Sequence, residues 1–390
     1  MSEQPTEHVL QIEKLVYGGD GLARADGRVV LTPFVLPDET VRVQVQRAKS
    51  DLLRGKLLEV VAPSSARQEP PCPYFARCGG CHYQHATDDY QLAQKQSILR
   101  EVLRRVGHFE FDGEIAAIAA DPWHYRNRTQ LHIQKGRLGY FAAGSHDVVA
   151  VDHCPISSPR LNDAIGKLAL ELPHYRSFNA TVELFTNETD LQVNVLDRIP
   201  PSVRPLFDEL GTREPIEYGA FRVSRASFFQ VNRFLVDQLV EEALGGASGS
   251  AALDLYAGVG LFAHALVGRF GEVHAVESSF TTFHDLEWNV QRAGLPVKGV
   301  KKTAEEYLAA LEVAPDLILA DPPRSGLGKV VIRELLRLRA PQITIVSCDP
   351  ATLARDLAVL IGGGYQIARL TLVDLFPQTF HLETVAHLRL

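Results

Sequence analysis

The stretch Leu253-Asp-Leu-Tyr-Ala-Gly-Val-Gly-Leu-Phe-Ala263 has the pattern of a buried strand, a glycine turn and the first turn of a helix. Its two glycines, Gly258 and Gly260, let a ligand approach the backbone closely. Glu277 follows Gly258 by 19 positions, at the end of the next strand pattern, where a carboxylate can bind ribose hydroxyls. The pattern predicts a nucleotide-binding turn on a Rossmann-like sheet, and it leaves a dinucleotide-dependent dehydrogenase open.

The remainder of the C-terminal region continues this pattern. Gly245-Gly-Ala-Ser-Gly-Ser250 breaks a helical run, and strand and helix patterns then alternate to the end of the chain. Such alternation is typical of a mainly parallel α/β sheet with helices on both faces.

Asp321-Pro-Pro-Arg324 stands at the end of the fourth expected strand of this sheet. Open α/β sheets bind their ligands at the carboxyl ends of strands, and pyridine-nucleotide enzymes do not usually carry Asp-Pro-Pro there. The placement favours S-adenosylmethionine as the cofactor. An aromatic residue after the prolines would suggest methylation of an exocyclic amine, but Arg324 occupies that position.

Ile343-Thr-Ile-Val-Ser-Cys348-Asp-Pro350 ends the fifth expected strand at a lone cysteine, and Asp349 and Pro350 suit the cap and first position of a helix. A helix N-terminus favours a thiolate, although the charge of Asp349 opposes it. A buried structural cysteine is the alternative. Cys348 offers a nucleophile that methylation of an amine does not need and methylation of carbon does.

The first 62 residues are expected to form a small β-barrel. Val41-Arg-Val-Gln-Val45 alternates apolar and polar side chains, and Asp26-Gly27 is a two-residue hairpin signal. About five short strands in this length suit an OB-type barrel, a scaffold often used for oligonucleotides. A barrel that only packs or dimerises is the alternative.

Four of the five cysteines group by spacing, in the pattern C-x5-C-x2-C with a distant fourth member. They are Cys72, Cys78, Cys81 and, 73 positions further on, Cys154. Clustered thiols with Gly79-Gly80 between two of them suit a metal site. From spacing alone, zinc with His82 and His85 as spare ligands and an iron-sulfur cluster are equally good interpretations.

Candidate RNA contacts lie between these regions. The strand-like run from Tyr125 to Ile133 places Arg126 and Arg128 on one face, which suits either an RNA backbone or a solvated strand face. Phe228 is a candidate surface for stacking a base, although an aromatic residue before a helix is commonly core. An apolar-periodic helix is expected from Asp89 to Gly107.

Composition excludes several classes of protein. The chain has 390 residues, 46% hydrophobic and 22% charged, which suits two or three globular domains. A net charge of −7 argues against binding nucleic acid by bulk charge, so local basic patches would have to serve. No apolar run approaches the roughly 20 residues that span a bilayer, and the polar N-terminus lacks the features of a signal peptide. A cytoplasmic protein with no membrane partner is expected.

With these motifs in view, the chain resembles the RNA uridine-5-methyltransferase family, in the branch with a TRAM barrel and a 4Fe-4S cluster that includes 23S rRNA enzymes. The most specific matches are the segments 347–356, 72–81 with Cys154, 228–232 and 381–386. The resemblance implies an α/β class I S-adenosylmethionine-dependent methyltransferase domain over residues 221–390. It also implies a TRAM barrel over residues 1–62 and a central α+β iron-sulfur domain over residues 63–220.

The resemblance also implies roles for single residues. The residues implied to bind the cofactor, together with the glycine turn, are Gln230, Tyr256, Glu277 and Asp321. The residues implied to hold the 4Fe-4S cluster are Cys72, Cys78, Cys81 and Cys154. Cys348 corresponds to the nucleophile and Glu383 to the base; by residue pattern alone Glu383 would be a surface acid at a strand end. Leu261 and Thr303 depart from the family, because related enzymes often have polar cofactor contacts there.

Carbon 5 of uracil is a poor nucleophile, so a thiolate must first add to carbon 6, and a base must later remove the proton from carbon 5. We therefore expect methylation of a uridine in RNA, with 23S rRNA favoured over tRNA, by a monomer whose barrel contributes RNA affinity. An iron-sulfur oxidoreductase with a dinucleotide-binding domain and a non-catalytic RNA-binding module are the alternatives.

Overall fold

The computed structural model describes residues 6–49 and 52–390, which form four β-sheets. Residues 1–5, part of the polar segment that spoke against a signal peptide, and residues 50–51 lie outside this description. Among the helices described, none combines the length and the apolar character needed to cross a membrane.

The N-terminal sheet has six strands in the order β1-β5-β6-β4-β3-β2. They are β1 (Thr6–Gln11), β2 (Lys14–Leu15), β3 (Asp20–Ala25), β4 (Arg28–Pro33), β5 (Thr40–Lys49) and β6 (Leu52–Ala62). The predicted hairpin is confirmed, because Asp26 and Gly27 join β3 to β4 with φ of +49° and +77°. Val41, Val43 and Val45 are buried as their alternation predicted, and they pack in the core of this sheet.

The central region contains a five-stranded antiparallel sheet in the order β10-β9-β8-β11-β12. Its elements are β8 (Arg128–Gln134), β9 (Arg137–Phe141), β10 (Val148–Ala150), α2 (Pro159–Glu171), β11 (Asn179–Thr186), β12 (Leu191–Val195) and α3 (Arg204–Leu210). Helix α2 buries Leu161, Ile165 and Leu168 against this sheet. A short hairpin of β13 (Ile216–Tyr218) and β14 (Phe221–Val223) follows.

The C-terminal region alternates strands and helices, as predicted. It forms an eight-stranded mixed sheet in the order β17-β16-β15-β18-β19-β21-β20-β7, in which β7 is the strand Ile115–Ile118. Its elements are α4 (Val236–Leu244), β15 (Gly249–Leu255), α5 (Leu261–Leu266), β16 (Phe270–Val276), α6 (Phe280–Arg292), β17 (Val297–Val300), α7 (Ala304–Ala310), β18 (Leu317–Ala320), α8 (Gly328–Leu338), β19 (Gln342–Ser347), α9 (Pro350–Gly362), β20 (Gln366–Val373) and β21 (Glu383–Arg389). Strands β15 to β19 are parallel, and β21 runs antiparallel to both of its neighbours.

Each face of this sheet has its own apolar core. Leu253 and Ile343 pack on one face with helices α7, α8 and α9, whereas Ala252 and Val346 pack on the other with α4, α5 and α6. Burial on both faces is why these strands read as continuous apolar runs.

Residues from the expected central range complete the C-terminal sheet. Strand β7 (Ile115–Ile118) pairs in parallel with β20, at the edge of the sheet. The predicted helix is confirmed as α1 (Asp88–Val106), and its residues Leu99 and Leu103 join the core that contains α9. The chain therefore enters the C-terminal sheet before it builds the central one.

Helix α1 also carries a buried charge. Lys95 is fully buried, and its Nζ donates to Asp374 Oδ1 at 2.7 Å and to the carbonyl of Phe376 at 2.9 Å. Both partners lie in the segment 374–382, which connects β20 to β21. The ion pair fixes this connecting segment against α1.

We predict that Lys95→Ala lowers the free energy of unfolding by about 3–5 kcal/mol, because it leaves the Asp374 carboxylate buried without its cation. Arg42→Ala is the control, since it breaks the exposed pair of Arg42 and Glu59 and should cost less than about 1 kcal/mol. Urea denaturation of both variants measures the difference. Equal losses in the two variants would contradict the importance of the buried pair.

Candidate active site

A cavity of about 620 Å³ lies at the carboxyl ends of the parallel strands, beside the point where the strand order reverses. Eight residues singled out from the sequence line it: Phe228, Gln230, Tyr256, Gly258, Glu277, Asp321, Cys348 and Glu383. Gly260 lies beside them as the N-cap residue of α5. The fold thus collects in one place groups that lie far apart in the sequence.

The glycine turn between β15 and α5 holds Glu277 in place. The backbone N–H of Gly258 donates to Glu277 Oε2 at 3.0 Å, and that of Ser279 donates to Oε1 at 2.7 Å. Tyr256 and Gly258 have φ of +60° and +56°. A tyrosine in this left-handed region is strained, and such strain concentrates at ligand sites.

Cys348 and Glu383 meet because β19 and β21 are antiparallel. Their register pairs Ser347 with Thr384, so Cys348 and Glu383 are the next residues at the same end of the two strands. Cys348 leads into α9, whose N-cap is Asp349; Asp349 Oδ1 accepts from the N–H groups of Ala351 and Thr352 at 3.0 and 2.8 Å. The predicted sequence of strand, cysteine, cap and helix is confirmed.

The electrostatics of the cavity oppose a thiolate in the protein alone. Burial raises the pKa of the Cys348 thiol to about 11, and the carboxylates of Glu383 and Asp321 add to the increase. The Arg324 guanidinium acts in the opposite direction and lowers this pKa. Ionisation of Cys348 therefore requires additional positive charge, or loss of negative charge, in the cavity.

Two of the three carboxyl groups that line the cavity, those of Asp321 and Glu383, have raised pKa values. Burial raises the pKa of Asp321 to about 7, although Gln230 Nε2 donates to its Oδ2 at 3.4 Å and lowers it. Burial and the neighbouring Asp321 also raise the pKa of Glu383. Two carboxylates that share one buried site resist simultaneous ionisation, so the charge of Asp321 adds to the effect of burial on Glu383.

Asp254, which sequence reasoning did not single out, supports the helix that follows the glycine turn. It is fully buried in β15, where its Oδ2 accepts from the backbone N–H of Ala263 at 2.8 Å, and its Oδ1 has no hydrogen-bond partner in the described part of the chain. Burial, with the charges of Asp321 and Glu277, raises its pKa. An acid inside an otherwise apolar strand was the available signal.

The three predicted RNA contacts have different environments. Phe228 is 56% exposed and lines the mouth of the cavity, while its neighbour Phe229 is buried. Arg128 pairs with Glu183 at 3.3 Å, and only 12% of its side chain is exposed. Arg126 lines a second cavity, where its Nε has no hydrogen-bond partner in the described residues. The two arginines therefore do not form an open basic strand face.

This second cavity, of about 200 Å³, contains the four grouped cysteines: Cys72, Cys78, Cys81 and Cys154. Burial raises the pKa of Cys78 to about 11 and that of Cys81 to about 12, and Cys154 adds to both increases. His82 and His85, the spare ligands for zinc, pack against Phe380 and Phe75. Within the described ranges, no group of three or more His, Cys, Asp or Glu side chains is placed to bind one metal ion together.

The cysteine segment, residues 72–85, is hydrogen-bonded to the segment 374–382 that precedes Glu383. The backbone N–H groups of His82 and Tyr83 donate to the carbonyl of Gln378 at 2.8 and 3.1 Å. Gln378 is fully buried at φ +67°. Its side chain accepts from Gln91 Nε2 and donates to Asp88 Oδ1, and its backbone N–H donates to Gln91 Oε1, so it is bonded to α1 at three points. These contacts, which no sequence motif indicated, connect the second cavity to the first.

The two departures from the family pattern have simple environments. Leu261 lines the cavity of Cys348 and adds apolar surface to it. Thr303 forms a capping box with Glu306 at the start of α7, so its hydroxyl already accepts from a backbone N–H. Leu261 has no polar group to offer, and the Thr303 hydroxyl is engaged in the helix cap.

Comparison with known proteins places these features in a family. Residues 216–389 match the family model described as "tRNA (Uracil-5-)-methyltransferase", and residues 7–58 match the TRAM domain. An uncharacterized RNA methyltransferase of Aquifex aeolicus is 32% identical over 430 aligned positions, which cover 99% of each chain. The 23S rRNA (uracil(1939)-C(5))-methyltransferase RlmD of Shewanella sediminis is 30% identical and covers 97% of this chain and 94% of its own.

A solved structure has the same overall arrangement. The tRNA (uracil-54, C5)-methyltransferase of Pyrococcus abyssi, in complex with S-adenosyl-L-homocysteine, superposes with a TM-score of 0.76 at 25% identity. The match covers 98% of this chain and 99% of that one. The 30% identical relative of Shewanella sediminis, matched over 97% of this chain, and the family model over residues 216–389 show that the chain belongs to the RNA (uracil-5-)-methyltransferase family.

Proposed function

We propose that the protein transfers a methyl group from S-adenosylmethionine to carbon 5 of a uridine in RNA, with Cys348 as the nucleophile and Glu383 as the base. The observation that carries the proposal is that Cys348 and Glu383 lie at the same ends of paired strands and line one cavity with Glu277 and Gly258. A cavity with a nucleotide-binding turn at one side and a thiol beside a carboxyl group at the other suits this reaction.

The cofactor would be held by residues on the β15 side of the cavity, proposed as Gln230, Tyr256, Gly258, Gly260, Glu277 and Asp321. The Glu277 carboxylate, fixed by two backbone N–H groups, can accept hydrogen bonds from ribose hydroxyls. Bound S-adenosylmethionine supplies an electrophilic methyl group and the positive charge of its sulfonium. The fit rests on this fixed carboxylate and on apolar walls such as Leu261 and Phe262.

Cys348 performs the first covalent step on the RNA. Its thiolate adds to carbon 6 of uracil, and electron density moves to carbon 5, which becomes nucleophilic. Burial raises the pKa of the Cys348 thiol to about 11, even though the Arg324 guanidinium lowers it. The further positive charge that favours ionisation would come from the sulfonium of bound S-adenosylmethionine.

Glu383 acts after methyl transfer, when carbon 5 still carries its proton. A carboxylate must remove that proton so that the bond between Cys348 Sγ and carbon 6 can break. Burial, followed by the neighbouring Asp321, raises the pKa of Glu383, and the Arg324 guanidinium lowers it toward the ionised form that accepts this proton. Asp321 can hold the uracil edge or the cofactor.

RNA recognition is proposed for Phe228 and for the barrel. The target base has to leave its stack, at a cost of a few kcal/mol, before it can enter a cavity of this depth. The exposed ring of Phe228 at the cavity mouth can stack on a base. Arg126 and Arg128 are not part of this proposal, because Arg126 lines the cysteine cavity and Arg128 pairs with Glu183.

The favoured RNA is 23S rRNA, and tRNA is the second candidate. The Shewanella sediminis relative modifies 23S rRNA by its name and is 30% identical, whereas the Pyrococcus abyssi enzyme named for tRNA is 25% identical. Both cover nearly the whole of this chain, so they differ in identity and not in extent.

We further propose that Cys72, Cys78, Cys81 and Cys154 hold a 4Fe-4S cluster with a structural role. Four cysteine thiols line a cavity of about 200 Å³, which has room for a group larger than one ion. A cluster of several atoms would explain why the four cysteines share a cavity although the described residues form no site for a single ion. The backbone N–H of His82 donates to the carbonyl of Gln378, so a cluster that stabilises the cysteine segment would also stabilise the segment that precedes Glu383.

We predict that Cys348→Ala and Glu383→Gln fail at different steps. The alanine variant lacks the thiolate and should yield neither methylated RNA nor a covalent species. The glutamine variant keeps attack and transfer but lacks the base, so a methylated RNA adduct on Cys348 should accumulate. Denaturing gels with a labelled methyl donor measure protein-bound label. Turnover of Glu383→Gln at the wild-type rate would show that another group is the base.

We predict that anaerobically purified protein contains iron and sulfide and absorbs broadly in the visible range. A variant with all four grouped cysteines changed to serine should lose these signals and unfold at a lower temperature. Stoichiometric zinc without iron would overturn the cluster. Full methyl transfer by the serine variant at unchanged stability would instead remove its structural role.

The RNA target is tested by mapping 5-methyluridine in 23S rRNA and tRNA from a strain that lacks this gene. We expect one or more positions in 23S rRNA to lose the methyl group and to regain it when the wild-type gene, but not Cys348→Ala, is returned. Loss confined to tRNA would establish the second candidate.

A further inference from the structure

Tyr17 brings the N-terminal barrel into contact with the reaction centre. It lies between β2 and β3, and its hydroxyl donates to Asp349 Oδ2 at 3.2 Å, across 332 positions of sequence. Asp349 directly follows Cys348 and caps α9. A barrel residue therefore touches the segment that carries the proposed nucleophile.

The loop that carries Tyr17 is closely packed. Gly18 and Gly19 have φ of +110° and +93°, and a Cβ on Gly19 would lie 3.2 Å from the side chain of His82. Leu15, just before the loop, is buried in the same core cluster as Tyr83. The barrel thus meets the other regions through a fitted contact.

The ring of Tyr17 contacts the segment on the other side of the centre. It packs edge-on against Phe380, with ring centroids 5.6 Å apart, and Phe380 in turn packs against His381. Glu383 begins β21 two residues later. Tyr17 consequently contacts both Asp349, which follows the proposed nucleophile, and Phe380, which lies just before the proposed base.

The hydroxyl of Tyr17 completes the hydrogen bonding of the Asp349 carboxylate. Oδ1 is occupied by two backbone N–H groups, and Tyr17 supplies the donor for Oδ2. Burial, followed by the charge of Asp349, raises the pKa of Tyr17, so its hydroxyl remains a donor at neutral pH. A carboxylate with three donors projects less negative potential onto Cys348 than one with two.

We propose that Tyr17 is a positioning residue for methyl transfer, which holds Asp349 and thereby the Cys348 segment in the geometry for attack. The proposal rests on the proposed role of Cys348. It implies that the barrel completes the reaction centre in addition to any RNA affinity it contributes. The charged groups that act on Cys348 from neighbouring segments are Glu383, Asp321 and Arg324, and Asp349 is the next residue on its own segment.

The test compares Tyr17→Phe with Tyr365→Phe. Each variant loses one phenol hydroxyl; that of Tyr365 donates to the carbonyl of Ala340 at 2.9 Å. The first measurement is the alkylation rate of Cys348 by iodoacetamide as a function of pH, followed by mass spectrometry of its peptide. The second is kcat and KM for methyl transfer to RNA from a strain that lacks this gene.

For Tyr17→Phe we expect the alkylation profile to move to higher pH and kcat to fall about tenfold, with KM for S-adenosylmethionine unchanged, because one hydrogen bond to a carboxylate is lost. Tyr365→Phe should change neither quantity. Identical alkylation profiles and kcat in both variants, at matched thermal stability, would overturn the role of Tyr17. Methyl transfer by Cys348→Ala would instead remove the proposed nucleophile, so the two failures are distinguishable.

Discussion

The antiparallel direction of β21 is the constraint on which the proposed chemistry depends. The parallel strands place Asp321 and Cys348 at their carboxyl ends. Glu383 is the first residue of β21, so a β21 parallel to β19 would place Glu383 at the amino ends of the strands, away from Cys348. Because β21 runs the other way, its amino end lies beside the carboxyl end of β19, and thiol and carboxyl group share one cavity.

Burial of this chemistry has an electrostatic cost that the surrounding structure offsets. Burial raises the pKa of Cys348, the carboxylates of Glu383 and Asp321 add to the increase, and Arg324 lowers it. The segment 374–382 that leads to Glu383 is held from outside the C-terminal sheet by the buried ion pair of Lys95 and by the cysteine segment through Gln378. Order at the site thus derives from contacts between regions of the chain that are distant in sequence.

The sequence predicted the parts of the site that depend on local pattern. The glycine turn at Gly258 and the cap at Asp349 are both set by residues within a few positions, so their motifs were sufficient. The environment of Arg126 and the contact of Tyr17 with Asp349 depend on how separate regions pack, and spacing along the chain carries no information on that. Buried polar contacts between such regions leave no periodic signature.

The central claim is that Cys348 forms a covalent bond to the target uridine. The most direct measurement uses RNA in which 5-fluorouridine replaces uridine. Carbon 5 then carries fluorine in place of the hydrogen that the base removes, and because fluorine does not leave as a cation, the adduct cannot break down. After incubation with S-adenosylmethionine and nuclease digestion, mass spectrometry should find a methylated fluorouridine nucleotide on the Cys348 peptide. Absence of that adduct, from protein that methylates the matching uridine RNA, would contradict the account.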